Sequence, residues 1–210
     1  SLNKSTLEKN NETMLRAFSL LDGNFKYSKK ENIKFIRDNM ALPFTHHSRL
    51  GFVYFAQLNN LLRKDVITEA QKNSLLLSVK SISTKMKSDA YQVKLGKKSL
   101  SSFLDIYGHI RAGNYNLSSS NLKNNLEFTE LLVHNSEPQD ENISLQKVIF
   151  SNIDKYFELN NIPYTASAWV EMFQTAIATR ENSKFYYTKG IDGILNEIEK
   201  YNIGLSLIHI

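Results

Sequence analysis

Apolar side chains recur at helical spacing through most of this chain, and no stretch of convincing length alternates with period two. Residues three and four apart share one face of a helix, whereas alternate residues share one face of a strand. That pattern predicts an all-α protein, a compact bundle of about eight to ten helices with no significant sheet. The punctuation agrees, because 210 residues contain only 8 Gly and 3 Pro and few positions force a break. A chain of this length buries a full core as one domain, or as one domain with a small appendage.

Taken in order, Leu7, Met14, Leu15, Phe18, Leu20 and Leu21 mark a helix over 5–21, stopped by Asp22-Gly-Asn24. Ile33, Phe35, Ile36 and Met40 mark a second over about 28–41. Pro43 resets the backbone and opens a third over about 43–64. Phe44, Leu50, Phe52, Val53, Phe55, Leu58, Leu61 and Leu62 make it apolar over more than one face, which predicts burial on several sides. Thr68-Glu-Ala-Gln71 fits a capping box and starts a helix at 69 that runs to about 87. Ser78, Ser81, Ser83 and Thr84 interrupt its apolar face; they are read as bonding back to carbonyls within that helix, the alternative being hydroxyls that line a gap.

A weaker helical piece follows near 88–95, then a helix capped by Ser99 or Ser101 that ends at Tyr107. A short helix over 126–133 precedes an acidic, turn-rich excursion over 135–142. Ser144 caps a helix to about 160, ended by Asn161-Ile-Pro163. The last long helix spans about 165–188, and Gly190 separates it from a short one over 191–201. The apolar end, 204–210, suits a segment that packs onto something further along.

Composition narrows the chemistry. The absence of Cys removes disulfide and thiolate chemistry and fits a reducing, cytoplasmic setting. The N-terminus lacks a signal-peptide pattern and no apolar run reaches membrane-spanning length, so no membrane association is expected. The net charge is +5 with a pI of about 9.2, yet the lysines are scattered and form no basic stripe with stacking aromatics, so no nucleic-acid partner is expected. There is no phosphate loop, dinucleotide fingerprint, His-Glu-x-x-His, nucleophile elbow or paired-carboxylate constellation. His46 and His47 point about 100° apart on a helix, a poor pair of metal ligands, and are read as surface or ligand-facing groups. By its own residues the chain does not look like a complete enzyme, and no catalytic or metal-ligating residue is assigned.

One stretch stands apart: Phe103-Leu-Asp-Ile-Tyr-Gly-His-Ile-Arg-Ala-Gly-Asn-Tyr-Asn116. Apolar periodicity ends at Tyr107 and resumes near Leu126, and Gly108 and Gly113 permit backbone angles that other residues resist. It reads as a helix end entering a tight loop that carries His109, Arg111 and Tyr115. On residue types alone, an ordinary helix C-cap with polar loop residues is the preferred account. Arg180, Lys184 and Thr188, spaced i, i+4, i+8, stack on one helix face. Two cations near a helix C-terminus suit its dipole; the alternative is an anion-facing stripe.

Tyr107-Gly-His-Ile-Arg-Ala-Gly-Asn-Tyr-Asn116 resembles a stretch of phosphoenolpyruvate synthase-like, or pyruvate phosphate dikinase-like, multidomain proteins, written there Tyr-Gly-His-Leu-Arg-Pro-Gly-Thr-Tyr-Asp. Arg49-Leu-Gly-Phe52, Ser81-Ile-Ser-Thr84 and Arg180-Glu-x-x-Lys-Phe-x-x-Thr188 with Gly204-Leu-Ser206 are similar to three further family stretches in the same order, so the resemblance spans about 43–206. It implies a helical acceptor-binding or linker domain over 43–206, a helical lead-in over 1–42, and the start of a connection to a downstream domain over 207–210. Its partners would be an ATP-grasp domain and a phosphohistidine domain of the same parent chain, with ATP and Mg needed by that parent and none held here. Rifampicin phosphotransferases and the L-glutamine kinase of capsule phosphoramidate synthesis are relatives of this type, which implies a small polar acceptor substrate.

The resemblance implies substrate-binding roles for His109, Arg111, Tyr115, Asn116, Arg180 and Lys184. Two departures, Ala112 for proline and Asn116 for aspartate, restrict the expectation to binding and positioning. Two other readings compete. In one, the domain is a spacer that sets the swing of the phosphohistidine domain, with His109 and Arg111 tying helices together. In the other, the chain is an unrelated helical adaptor or effector-type protein with a contiguous exposed apolar patch.

Overall fold

The computed structural model describes residues 12, 13, 16, 29–111, 119–138 and 145–200. The expected helix over 5–21 and the segment 204–210 lie outside those residues. Among the described residues the protein is all-α, with no strand beyond a single isolated bridge. No helix is long and apolar enough to cross a membrane.

Lys29–Ile36, a π-helical turn Arg37–Ala41 and Leu42–Arg63 follow one another without a break, and together form α1. The expected start at Pro43 is therefore corrected. Proline lacks an N–H and its ring collides with the carbonyl four residues back. The π turn loosens the backbone immediately before it, with Leu42 N–H bonding to Arg37 O five residues back. The chain thus passes the proline inside a helix.

Thr68 caps α2 (Glu69–Leu77), and both halves of its capping box form. The expected continuation to 87 is corrected by a second box. Ser81 accepts from Thr84 N and Thr84 Oγ1 bonds Ser81 N, so the helix restarts as α3 (Ile82–Lys94). Ser78 does bond back, to Leu75 O, but Ser83 reaches Glu181 instead. Ser99 caps α4 (Leu100–Tyr107). Asn125 caps α5 (Leu126–His134). Helix α6 (Lys147–Leu159) begins from Gln146, two residues later than a Ser144 cap would place it. It ends where Asn161 takes a positive φ of 53°, a conformation asparagine tolerates better than most residues.

The longest element, α7 (Ala166–Lys200), runs straight through Gly190. The expected break there is corrected, because the glycine serves close packing. A Cβ at 190 would lie 2.8 Å from Met40 Sδ and 3.4 Å from Ile36 Cδ1. Helices α1 and α7 form the most extensive pair and act as the spine. One apolar cluster joins Leu58, Leu61, Leu75, Ile149, Ile153, Trp169 and Phe173. A second joins Ala90, Phe103, Tyr107, Leu122 and Phe185. A third sets Ile36 and Met40 against Tyr186, Tyr187 and Ile191. The expectation that α1 is covered on several sides is corrected as well, since Phe52, Val53 and Phe55 are exposed.

Candidate functional site

Helix α4 delivers its last side chain, Tyr107, into the second cluster, where it is fully buried. Its hydroxyl donates to Asp89 Oδ2 at 2.7 Å, and Lys98 pairs with that same oxygen at 2.9 Å. Burial, then the Asp89 hydrogen bond, pushes the phenol above its ordinary pKa. The backbone at Gly108 is ordinary right-handed helix, φ −59°, so this glycine is not needed for an unusual angle. It clears space: Lys123 N bonds Gly108 O at 3.0 Å, and an added Cβ would sit 3.2 Å from Lys123 Cβ. Leu122 N also bonds Ile110 O at 2.8 Å, and Arg111 bridges to Asn121. These bonds bring together the two ends of the loop between Arg111 and Asn121.

His109 is buried with its ring edge-on to Phe185, 4.6 Å between centroids. Burial lowers its pKa from 6.5 to about 4. Lys189 pushes the same way, while Asp192 and backbone hydrogen bonds at Phe185 and Ile106 oppose the shift without cancelling it. The ring is neutral at pH 7, and its buried Nε2 has no hydrogen-bond partner. Arg111 donates to Asp192 Oδ1 at 2.7 Å and to the Ser119 carbonyl. Asp192 is a junction: Asn121 Nδ2 reaches Oδ1 at 3.1 Å and Asn196 Nδ2 reaches Oδ2 at 3.3 Å.

These groups border a cavity of about 330 Å³. Its apolar walls are Ile82, Met86, Tyr107, Ile110, Phe185, Tyr187 and Ile191; Ser83, His109, Arg111, Glu181, Lys184 and Thr188 add polar atoms. His109 and Arg111 from the loop end thus meet Lys184 from α7 at one site. Arg180 does not join them. Its guanidinium lies over the Phe52 ring, 5.1 Å from the centroid, and pairs with Glu181 Oε1 at 2.6 Å. Glu181 Oε2 accepts from Ser83 at 2.9 Å. Tyr115 and Asn116 lie outside the described residues.

The neighbouring histidines separate as the helix geometry requires: His46 is exposed and His47 is fully buried. His47 Nδ1 pairs with Ser183 Oγ, and burial lowers its pKa to about 4, with His46 adding to the shift. His47 is thus a core residue and not the surface or ligand-facing group expected. Among the described residues no group of three or more His, Asp or Glu is placed to hold a metal ion.

The residues that spacing alone did not single out are Asp192, Glu181 and Asn121. For Asp192 a signal existed. Arg180, Lys184, Thr188 and Asp192 form one i+4 series, which the supposed break at Gly190 cut short. The chain matches no family model, no curated protein and no solved structure.

Proposed function

We propose that this chain is the acceptor-binding helical domain of an ATP-dependent, dikinase-like phosphotransferase. One observation carries the reading: His109 and Arg111 from the motif border the same cavity as Lys184, more than seventy residues away in sequence. The domain would act by positioning. A phosphoryl group carried on a histidine of another domain would meet an acceptor held at this cavity, and such transfer depends on placement and charge stabilisation. The L-glutamine kinase of capsule phosphoramidate synthesis is the specific relative the motif suggests.

The spacer reading has its own support, since Arg111 is bound to Asp192 and Ser119 and thereby ties the loop to α7. The two readings part on a cavity-filling variant, Ile82→Trp, in the intact parent protein supplied with ATP, Mg and a panel of acceptors that includes glutamine. Acceptor phosphorylation should fall by about a hundredfold, the scale that misplacement of a reactant imposes. ATP-dependent labelling of the carrier histidine should persist. Undiminished acceptor turnover in the variant rejects the acceptor-site reading in favour of the spacer.

A further inference from the structure

The ionic groups at the cavity wall are few, and most of their charge is balanced within the protein. Arg111 and Lys184 bring positive charge to the lining, and Glu181 brings negative charge. Arg111 pairs with Asp192 at 2.7 Å and Glu181 with Arg180 at 2.6 Å, so each pair is neutral in sum. Taken together these side chains are three cations and two carboxylates, which leaves the site net positive by one. Hydroxyl hydrogens at the wall are already committed. Ser83 donates to Glu181 at 2.9 Å, Tyr107 to Asp89 at 2.7 Å, and Thr188 to the Lys184 carbonyl at 2.9 Å.

Lys184 differs from these neighbours as a donor. An ammonium carries three N–H groups, so a bond within the protein does not exhaust it. It is a point charge on a flexible stem, able to meet a ligand while the Arg111–Asp192 pair stays closed. The side chain is half-buried on α7, where its attraction to an anion is screened less than at an open surface. One net positive charge matches one negative charge on a ligand. A phosphate monoester brings nearly two at neutral pH. Glu181, one helical turn before Lys184, would repel the second. Ile82, Met86, Ile110, Phe185 and Ile191 in turn call for an apolar body. The volume of about 330 Å³ lies at the small end of ligand pockets.

We infer, building on the cavity as an acceptor site, that its occupant is a compact monoanion: an apolar body bearing one carboxylate that pairs with the ammonium of Lys184.

The test uses the 210-residue chain and three probes of similar shape, with binding measured by calorimetry and ligand-observed NMR. p-Ethylbenzoate carries one negative charge, p-ethylbenzyl alcohol none, and p-ethylphenyl phosphate nearly two. The benzoate should bind about tenfold more tightly than the alcohol, the scale of one charge-assisted hydrogen bond, and more tightly than the phosphate. Lys184→Met keeps an apolar stem and should erase the preference for benzoate over alcohol while the alcohol still binds. Ile82→Trp should abolish binding of the benzoate. Equal or tighter binding of the alcohol to the unaltered chain overturns the inference, as does failure of the benzoate to bind. These comparisons need no variant, so they hold even where Lys184→Met fails to fold. A benzoate preference that persists in a folded Lys184→Met overturns the inference too. Tighter binding of the phosphate that Ile82→Trp abolishes refutes this ligand class and leaves the acceptor site standing. Benzoate binding that survives Ile82→Trp removes the site itself.

Discussion

His47 and His109 are buried, neutral, and each has an Nε2 without a hydrogen-bond partner. Both have pKa values lowered from 6.5 to about 4, chiefly by burial. The sign of the consequence follows from proton uptake. Between pH 6.5 and 4 the unfolded chain protonates these rings while the folded protein resists, so the unfolded state binds more protons and gains on the folded one. Their contribution is complete above about pH 6.5 and is lost as the pH falls through 4. From pH 6.5 to 5 most carboxylates are still ionised, so the histidines dominate the trend. The thermal midpoint, followed by circular dichroism, should decline across that interval. His109→Phe, which keeps a ring against Phe185, should flatten the decline. An unchanged slope in that variant would show that His109 is not a source. The sequence made His109 conspicuous beside two glycines, but its burial depends on Phe185, seventy-six positions later in the chain, and no local pattern reports that.

Several element boundaries were legible from local chemistry, although the Ser81–Thr84 capping box was missed and Ser144 did not cap α6. Thr68 and Gln71 capped as their spacing predicted, Ser99 capped α4, and Asn161 ended α6. Boundaries failed where tertiary packing set them. Pro43 and Gly190 both have the local character of helix breaks, yet both lie inside long helices. They belong to one contact region, since the π turn that carries α1 into Pro43 contains Met40, the residue packed against Gly190. Gly190→Ala therefore sets two effects against each other. Alanine improves helix propensity by about 1 kcal/mol. Its methyl would meet Met40 and Ile36, both almost fully buried and with little room to yield, and overpacking costs about 1–3 kcal/mol. Gly190→Ala should thus destabilise by about 1 kcal/mol in denaturant unfolding. In a Met40→Ala background the clash is removed, and the same substitution should become neutral or stabilising. Additive effects in the double variant would mean that space is not why a glycine stands there.

For the whole molecule, the Arg111–Asp192 pair is the link that joins the loop after α4 to the far end of the spine. The candidate site depends on it, because Arg111, Asn121 and Asn196 all converge on that one carboxylate. The sequence displayed Arg111 but concealed its partner, since Asp192 became part of the series on α7 only once the helix ran through Gly190. The all-α class was legible from periodicity; the long-range pairing was not, because it joins positions eighty-one residues apart. Replacing one member strands the other. Fully buried pairs lose about 3–5 kcal/mol in this way. Here the side chains retain 17% and 11% exposure, so water relieves part of the cost and about 2 kcal/mol is expected for Arg111→Met or Asp192→Leu alone. Together the two substitutions leave no unpaired charge and place apolar groups side by side. The double variant should be more stable than the sum of the single losses predicts, by about 1–3 kcal/mol of coupling in equilibrium unfolding. If the losses simply add, the pair does not link the two elements energetically, and the spacer role that rests on it falls. A strong coupling has a practical consequence for acceptor assays: Arg111→Ala alone confounds ligand loss with loosening of α7. Ile82→Trp, which leaves the pair intact, is the cleaner test of the site.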